Sequence, residues 1–147
     1  MRAARLAADC SALLGPLSGP ILLACPGAPR LAAALAARLA VAGDGESPRA
    51  AIVAFLGLAA RPAERQQVLR ATQTALPPGA PLLLVDHNQP RAPWRRVVAA
   101  VRLVAAGLGP ARARYPAARE LAALGLAVER LRLACGERVQ LVEARRR

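Results

Sequence analysis

The chain is expected to be an α/β domain, a mostly parallel sheet with helices on both faces and an antiparallel hairpin at its C-terminal end. Three observations lead there. Aliphatic runs such as "ILLAC" (21–25) and "PLLLVD" (81–86) are apolar without alternation, as strands buried on both faces must be. Segments of helical period, rich in alanine and leucine, lie between them. The final stretch, "AVERLRLACGERVQLVEARRR", switches to alternating charged and apolar residues around "CGER".

Residues 2–14 read as an amphipathic helix closed by Gly15-Pro16. Residues 21–25 form the first strand, "PGAPR" a tight loop and "LAAALAARLAVA" (31–42) a strong helix former. Strand, small-residue loop and helix open a βα unit. "GDGESP" (43–48) is a polar turn, and "AAIVAFLGLAA" (50–60) is the second strand. The helix at 61–76 carries Pro62 in its first turn and is expected to face Val68, Leu69, Ala75 and Leu76 inward. Pro77-Pro78-Gly79 ends it, and 81–86 is the third strand. "PWRRVVAAVRLVAAGLG" reads as a helix with arginine on one side and valine or leucine on the other. "YPAARELAALG" reads as a further helix, capped by Gly125. In the terminal hairpin Leu131, Leu133 and Cys135 should point one way, Arg130 and Arg132 the other, which keeps a sheet edge polar. A single domain over residues 1–147 is expected, with no internal repeat and no linker.

The 147 residues carry a net charge of +12, from 21 arginines, no lysine and nine acidic residues. Such a charge attracts polyanions over a Debye length. Apart from Arg95-Arg96 and Arg145–Arg147 the arginines are scattered, so the basicity reads as solvated surface, with nucleic-acid binding a lesser alternative. Phe55, Trp94 and Tyr115 are the only aromatic residues, too few for a base-stacking platform. Cys10, Cys25 and Cys135 form no CxxC pair, which fits a reducing compartment and buried thiols rather than a metal site. No apolar run reaches the ~20 residues of a membrane span. The N-terminus also lacks the continuous apolar core of a signal peptide, so a soluble, cytoplasmic protein is expected.

The order of elements, with certain local motifs, resembles the class I S-adenosylmethionine-dependent methyltransferases, which have a Rossmann-like fold. "AIVAFLGLAARPAERQQVLRATQTALPPGAPLLLVDH" is similar to that family's fourth strand, the helix after it, the "L-x-P-G-G" turn and the fifth strand. Leu76, Pro78 and Gly79 match the turn, and Ala80 replaces its second glycine. "ILLACPGAPR" stands where the family has its glycine-rich cofactor loop, and "VAGDGESP" resembles a "G-D-x-x-x-P" segment whose aspartate lies near the adenine. The resemblance spans residues 20–147. It also has departures. Leu23, Cys25, Gly27 and Pro29 occupy the places of an acid and three glycines, so one glycine survives. Between Leu39 and Gly43 there is no room for the family's second strand and its helix, so one βα unit of about 25 residues is expected to be missing.

The resemblance implies methyl transfer from S-adenosylmethionine to an unidentified, small-molecule acceptor. Cys25, Gly27, Asp44, Gly45 and Phe55 are the expected cofactor residues. His87, the only histidine, ends the third strand with Asp86 and Asn88, at the edge where open α/β sheets bind ligands. His87, with Asp86, is the candidate base for an acceptor hydroxyl or amine. The competing reading is that Asp-His-Asn merely ends the strand. Two other functions stand beside the enzyme. One is a non-catalytic remnant of the fold serving as a protein-interaction or homodimer scaffold. The other is a polyanion-binding module.

Overall fold

The structure, a computed structural model, describes residues 3–56, 62–88, 92–105 and 117–146. Its sheet has five strands: β1 (Ile21–Ala24), β2 (Ala50–Ala54), β3 (Pro81–His87), β4 (Leu126–Ala134) and β5 (Val139–Arg146). They lie in the order β1-β2-β3-β5-β4. The first three are parallel, and β5 pairs antiparallel with both β3 and β4. The helices are α1 (Ala3–Leu14), α2 (Pro29–Ala36), α3 (Pro62–Ala75), α4 (Pro93–Ala105) and α5 (Ala117–Ala123). The expected fold class is thus observed, a mostly parallel sheet with an antiparallel hairpin at its end.

Successive strand residues face opposite sides, and every residue of β2 is buried. Ala50, Ile52, Ala54, Leu83, Val85 and Leu141 pack against Leu6, Cys10 and Leu13 of α1 and Leu31 and Leu35 of α2. Ala51, Val53, Leu82, Leu84, Val142 and Ala144 pack against Leu69 of α3 and Ala117 and Leu121 of α5. Sequences that are apolar at every position are what such a two-sided core requires.

Several boundaries differ from the sequence reading. Helix α2 stops at Ala36 instead of running to residue 42. The chain then turns, and Val41 makes one parallel bridge to Ile21. Ile21 N–H donates to Ala40 O (2.8 Å) and Ala42 N–H to Ile21 O (2.9 Å). That bridge is the only strand pairing in the segment between α2 and β2. Strand β2 ends at Ala54, not at residue 60, because Phe55 takes a left-handed φ of 52° that extended backbone cannot continue. The rest of that expected strand lies outside the described residues, as do the last turn of the helix expected at 93–109 and Tyr115. Gly15 (φ 71°) and Gly125 (φ 79°) end α1 and α5 as expected.

Two inward-facing assignments are corrected. The buried stripe of α3 is Arg65, Leu69, Thr72 and Leu76, at i, i+4, i+7 and i+11. Ala75 lies off that stripe and is exposed. On β4, Leu131 is exposed, since β4 is an edge strand whose centre no helix covers; a bulge at Val128/Arg130 bends it. Arg130 instead reaches across to the fully buried Glu143 (2.6 Å).

Among the described residues Arg65 is the largest fully buried side chain. Its Nη2 lies 2.6 Å from Asp86 Oδ2 on β3, and its Nε donates to both carboxylate oxygens of Glu120 on α5, at 2.7 and 2.8 Å. Burial by itself would lower the pKa of this guanidinium. The Glu120 hydrogen bonds and the Asp86 charge outweigh that and hold it above its ordinary value. The side chain therefore stays charged, and its two carboxylates tie α3, β3 and α5 together.

Breaking a buried ion pair by removing one partner leaves an uncompensated charge in the core. Arg65→Ala should therefore cost about 3–5 kcal/mol in urea unfolding. The combined substitution Arg65→Met, Asp86→Leu, Glu120→Leu should recover most of that loss. A triple variant as unstable as Arg65→Ala would show that packing, not unpaired charge, sets the penalty.

Candidate functional site: a cleft at the carboxyl ends of the parallel strands

The chain leaves β1 through a tight turn in which Ala28 N–H donates to Cys25 O (3.1 Å). Helix α2 follows at once, with Leu31 and Ala32 N–H both donating to Ala28 O (3.0 Å each). Pro29 occupies its first turn, where the missing donor costs nothing. Gly27, Ala28, Pro29, Arg30 and Leu31 form one wall of a cleft of about 320 Å³; Phe55, His87 and Ala3 complete it. That volume lies at the lower end of the ~300–1,000 Å³ typical of small-molecule sites. The cleft opens at the carboxyl ends of β1, β2 and β3, the edge at which α/β sheets bind ligands.

Phe55 and His87 form a pair. Their ring centroids are 4.8 Å apart with the planes tilted by 47°. An aromatic residue at φ 52° is strained by roughly 1–3 kcal/mol, and its surroundings must hold it there. Here its N–H donates to Val85 O (2.9 Å), and its side chain is buried. The backbone of His87 is fixed on both sides: its N–H donates to Asp86 Oδ1 (2.7 Å), and its carbonyl accepts from Gln140 Nε2 (2.9 Å). Its side chain lines the cleft.

The two residues expected to act together are thus placed apart. Neighbours on a strand face opposite sides, so His87 turns toward the α1/α2 layer while Asp86 turns toward α3 and α5. There Asp86 is 2 % exposed and bound to Arg65. Asn88 also turns away, its N–H donating to Arg138 O (2.9 Å) and its Nδ2 to Glu137 O (2.8 Å), which pins the β4–β5 turn.

Among the expected cofactor residues, the cleft gathers Gly27 and Phe55. Cys25 lies against the core on the α1/α2 side; burial pushes its thiol pKa up, although a hydrogen bond with the Ala54 backbone works the other way. Asp44 and Gly45 sit exposed on the turn that Glu46 closes by accepting Gly43 N–H (2.9 Å), and neither lines the cleft. The sequence reading missed Arg30. Its signal was its place in the first turn after the β1 loop, where side chains and backbone N–H groups face the strand ends. With the positive end of α2, Arg30 makes this wall attractive to an anion, and no acidic side chain lines the cleft among the described residues. Among the described residues no group of three or more His, Cys, Asp or Glu could hold a metal ion. No helix among them is long and apolar enough to cross a membrane.

No family model matches the chain, and no curated protein matches it. Solved structures do. A glycopeptide N-methyltransferase, MtfA, complexed with sinefungin is 17% identical, with a TM-score of 0.68 over 100% of this chain and 95% of that one. The same enzyme complexed with S-adenosyl-L-methionine superposes with a TM-score of 0.66. The pyocyanin biosynthetic protein PhzM is 19% identical (TM-score 0.61), covering 86% of this chain and 42% of its own. An O-methyltransferase family protein from Burkholderia thailandensis is 14% identical (TM-score 0.55), covering 86% and 43%. This chain thus spans about two fifths of the length of the last two proteins. At these identities the likeness shows the fold, and that fold is the class I methyltransferase one.

The thiols give a direct check on the packing around the cleft. Cys10 is fully buried, and burial, with Asp9 beside it, pushes its pKa up to about 12. Since the thiolate is the reactive form, iodoacetamide near pH 8 should modify Cys135 first and Cys10 only after denaturation. Mass spectrometry of the native and unfolded protein reads the order.

Proposed function

We propose that the cleft binds S-adenosylmethionine and that the protein transfers its methyl group to a hydroxyl or amine of a small acceptor, with His87 as the base. One observation carries this reading. The only histidine of a chain with the class I methyltransferase fold lines the cleft at the strand ends, opposite a positive helix terminus.

The residues fit the cofactor in part. Arg30 and the positive end of α2 suit its carboxylate. Ala28, Leu31 and the Phe55 ring offer an apolar wall for the adenosine. When bound, S-adenosylmethionine would supply a methyl group on a positively charged sulfur, whose bond to the methyl carbon breaks as an acceptor oxygen or nitrogen takes that carbon, leaving neutral S-adenosylhomocysteine. The chain's own work is then positioning and proton removal. The cleft holds the acceptor in line, an effect that alone can account for much of a displacement rate. An imidazole nitrogen of His87 takes the proton that the acceptor's O–H or N–H gives up as the new bond to carbon forms. Asp86 serves from behind: its Oδ1 accepts from the His87 backbone N–H while its Oδ2 pairs with Arg65.

The absence of a carboxylate among the described lining side chains, where a ribose diol would bond, supports the scaffold reading as the alternative. Calorimetric titration with S-adenosylmethionine and S-adenosylhomocysteine separates the two. Binding should be weakened severalfold by Arg30→Ala and more by Gly27→Val, which crowds the wall. Asp44→Ala, outside the cleft, should change it by less than about twofold. No heat from a folded sample at millimolar ligand would leave the scaffold.

If the cofactor binds, His87→Ala should leave its affinity within about threefold and lower single-turnover methyl transfer by about a hundredfold or more. An acceptor screen that finds turnover unaffected by His87→Ala would remove the base from the mechanism.

A further inference from the structure

Helix α4 is amphipathic in an unusual direction. Among its described side chains only Ala99 is well buried. Trp94, Val97, Val98, Val101 and Val104 all stand out from the domain, with Trp94 65%, Val97 64% and Val101 61% exposed. At 100° per residue these five fall on one arc, a row about 15 Å long. Leaving such a row in water is costly, and soluble surfaces carry one where something else covers it. No acidic residue occurs anywhere in α4.

The flank of this row is cationic. Arg95 and Arg102 lie beside it, and across a cleft of about 290 Å³ the β4–β5 turn contributes Arg138. The Arg95 guanidinium sits over the Trp94 ring, 5.1 Å from its centroid. Arg138 is steadied by donating from Nε to Cys135 O (3.0 Å). Three guanidiniums and an indole thus edge an apolar row, with no carboxylate among the described lining residues.

We propose that α4 docks on an anionic lipid surface, lying in the plane of the interface. Trp94 and the four valines would enter the acyl boundary, and Arg95, Arg102 and Arg138 would meet headgroup phosphates. Charge complementarity selects this occupant. A second copy pairing through the same face would set one arginine cluster against another, between chains that each carry +12. A nucleic acid would satisfy the arginines and leave the valines with nothing to cover them. A lipid surface answers both halves of the helix at once: apolar residues that enter only 5–10 Å, roughly, and cations at headgroup level. The inference does not depend on the cleft binding a cofactor.

Trp94 is the chain's only tryptophan, so its fluorescence reports from the proposed face alone. The full chain would be mixed with phosphatidylcholine vesicles, with or without phosphatidylglycerol as about a third of the lipid. The expected result is co-sedimentation with the anionic vesicles, weakened by salt, together with a blue shift of Trp94 emission. Val97→Asp with Val101→Asp, and separately Arg95→Gln with Arg102→Gln, should each lower partitioning by about tenfold or more. These side chains are solvent-exposed, so circular dichroism and thermal midpoint should stay at the parent's values, which separates lost docking from lost folding.

Three outcomes would overturn the proposal. The first is no sedimentation with either vesicle. The second is sedimentation with Trp94 emission unmoved and the valine variant binding as before, which would assign the attraction to charge elsewhere. The third is a dimer in lipid-free light scattering that Val97→Asp dissolves, with no vesicle binding, which would give the face to a second copy.

Discussion

A guanidinium with no access to water ties the back of this domain together. A lone charge in a protein interior costs far more than the few kcal/mol by which domains are stable. Arg65 can be buried only once Asp86 and Glu120 are both in place. That condition links a crossover helix, the central strand and the short helix before the hairpin into one cooperative unit. Strand β3 is also where the sheet changes from parallel to antiparallel pairing. The ion cluster therefore sits where the two halves of the topology meet.

The same cluster orients the candidate site. Because Asp86 is drawn to one face of β3, His87 must emerge on the other, beside Phe55 and the start of α2. Two polar residues adjacent in sequence thus divide the work, one into the core and one into the cleft. Phe55 completes the arrangement by leaving the extended region one residue after β2, so that its ring folds back onto His87. Backbone strain at such a place is sustained by the Val85 hydrogen bond and the buried ring.

Helices α3 and α4 show how far an apolar pattern can mislead. The buried stripe of α3 holds an arginine and a threonine beside its two leucines, and the helix is polar on average. Helix α4 has the stronger apolar face and shows it to solvent. The charges sort similarly. Arg65, Arg130, Arg132 and Arg145 face carboxylates, whereas Arg95 and Arg102 line a cleft with none among its described residues. A net charge of +12 does not predict this division, which depends on which acids the folded chain brings near.

Much of the architecture was legible in the residues themselves. Uninterrupted aliphatic runs identify two-sided strands, Gly15 and Gly125 mark helix ends, and alternation announces the terminal hairpin, because each is a local rule of burial or backbone conformation. That Gly27, Phe55 and His87 would meet at one edge was likewise legible, since each lies at or just after the end of a parallel strand. Tertiary structure alone decided the rest. It moved Asp86 from partner of His87 to partner of Arg65, left Asp44 and Gly45 on an exposed turn and brought Arg30 to the wall of the cleft. It buried Arg65 and exposed Leu131 against the rank order of their hydrophobicity. A sequence records what each side chain prefers on average. Which charge lies within 3 Å of which carboxylate is settled only by residues 21 and 55 positions apart in the chain, Asp86 and Glu120 counted from Arg65.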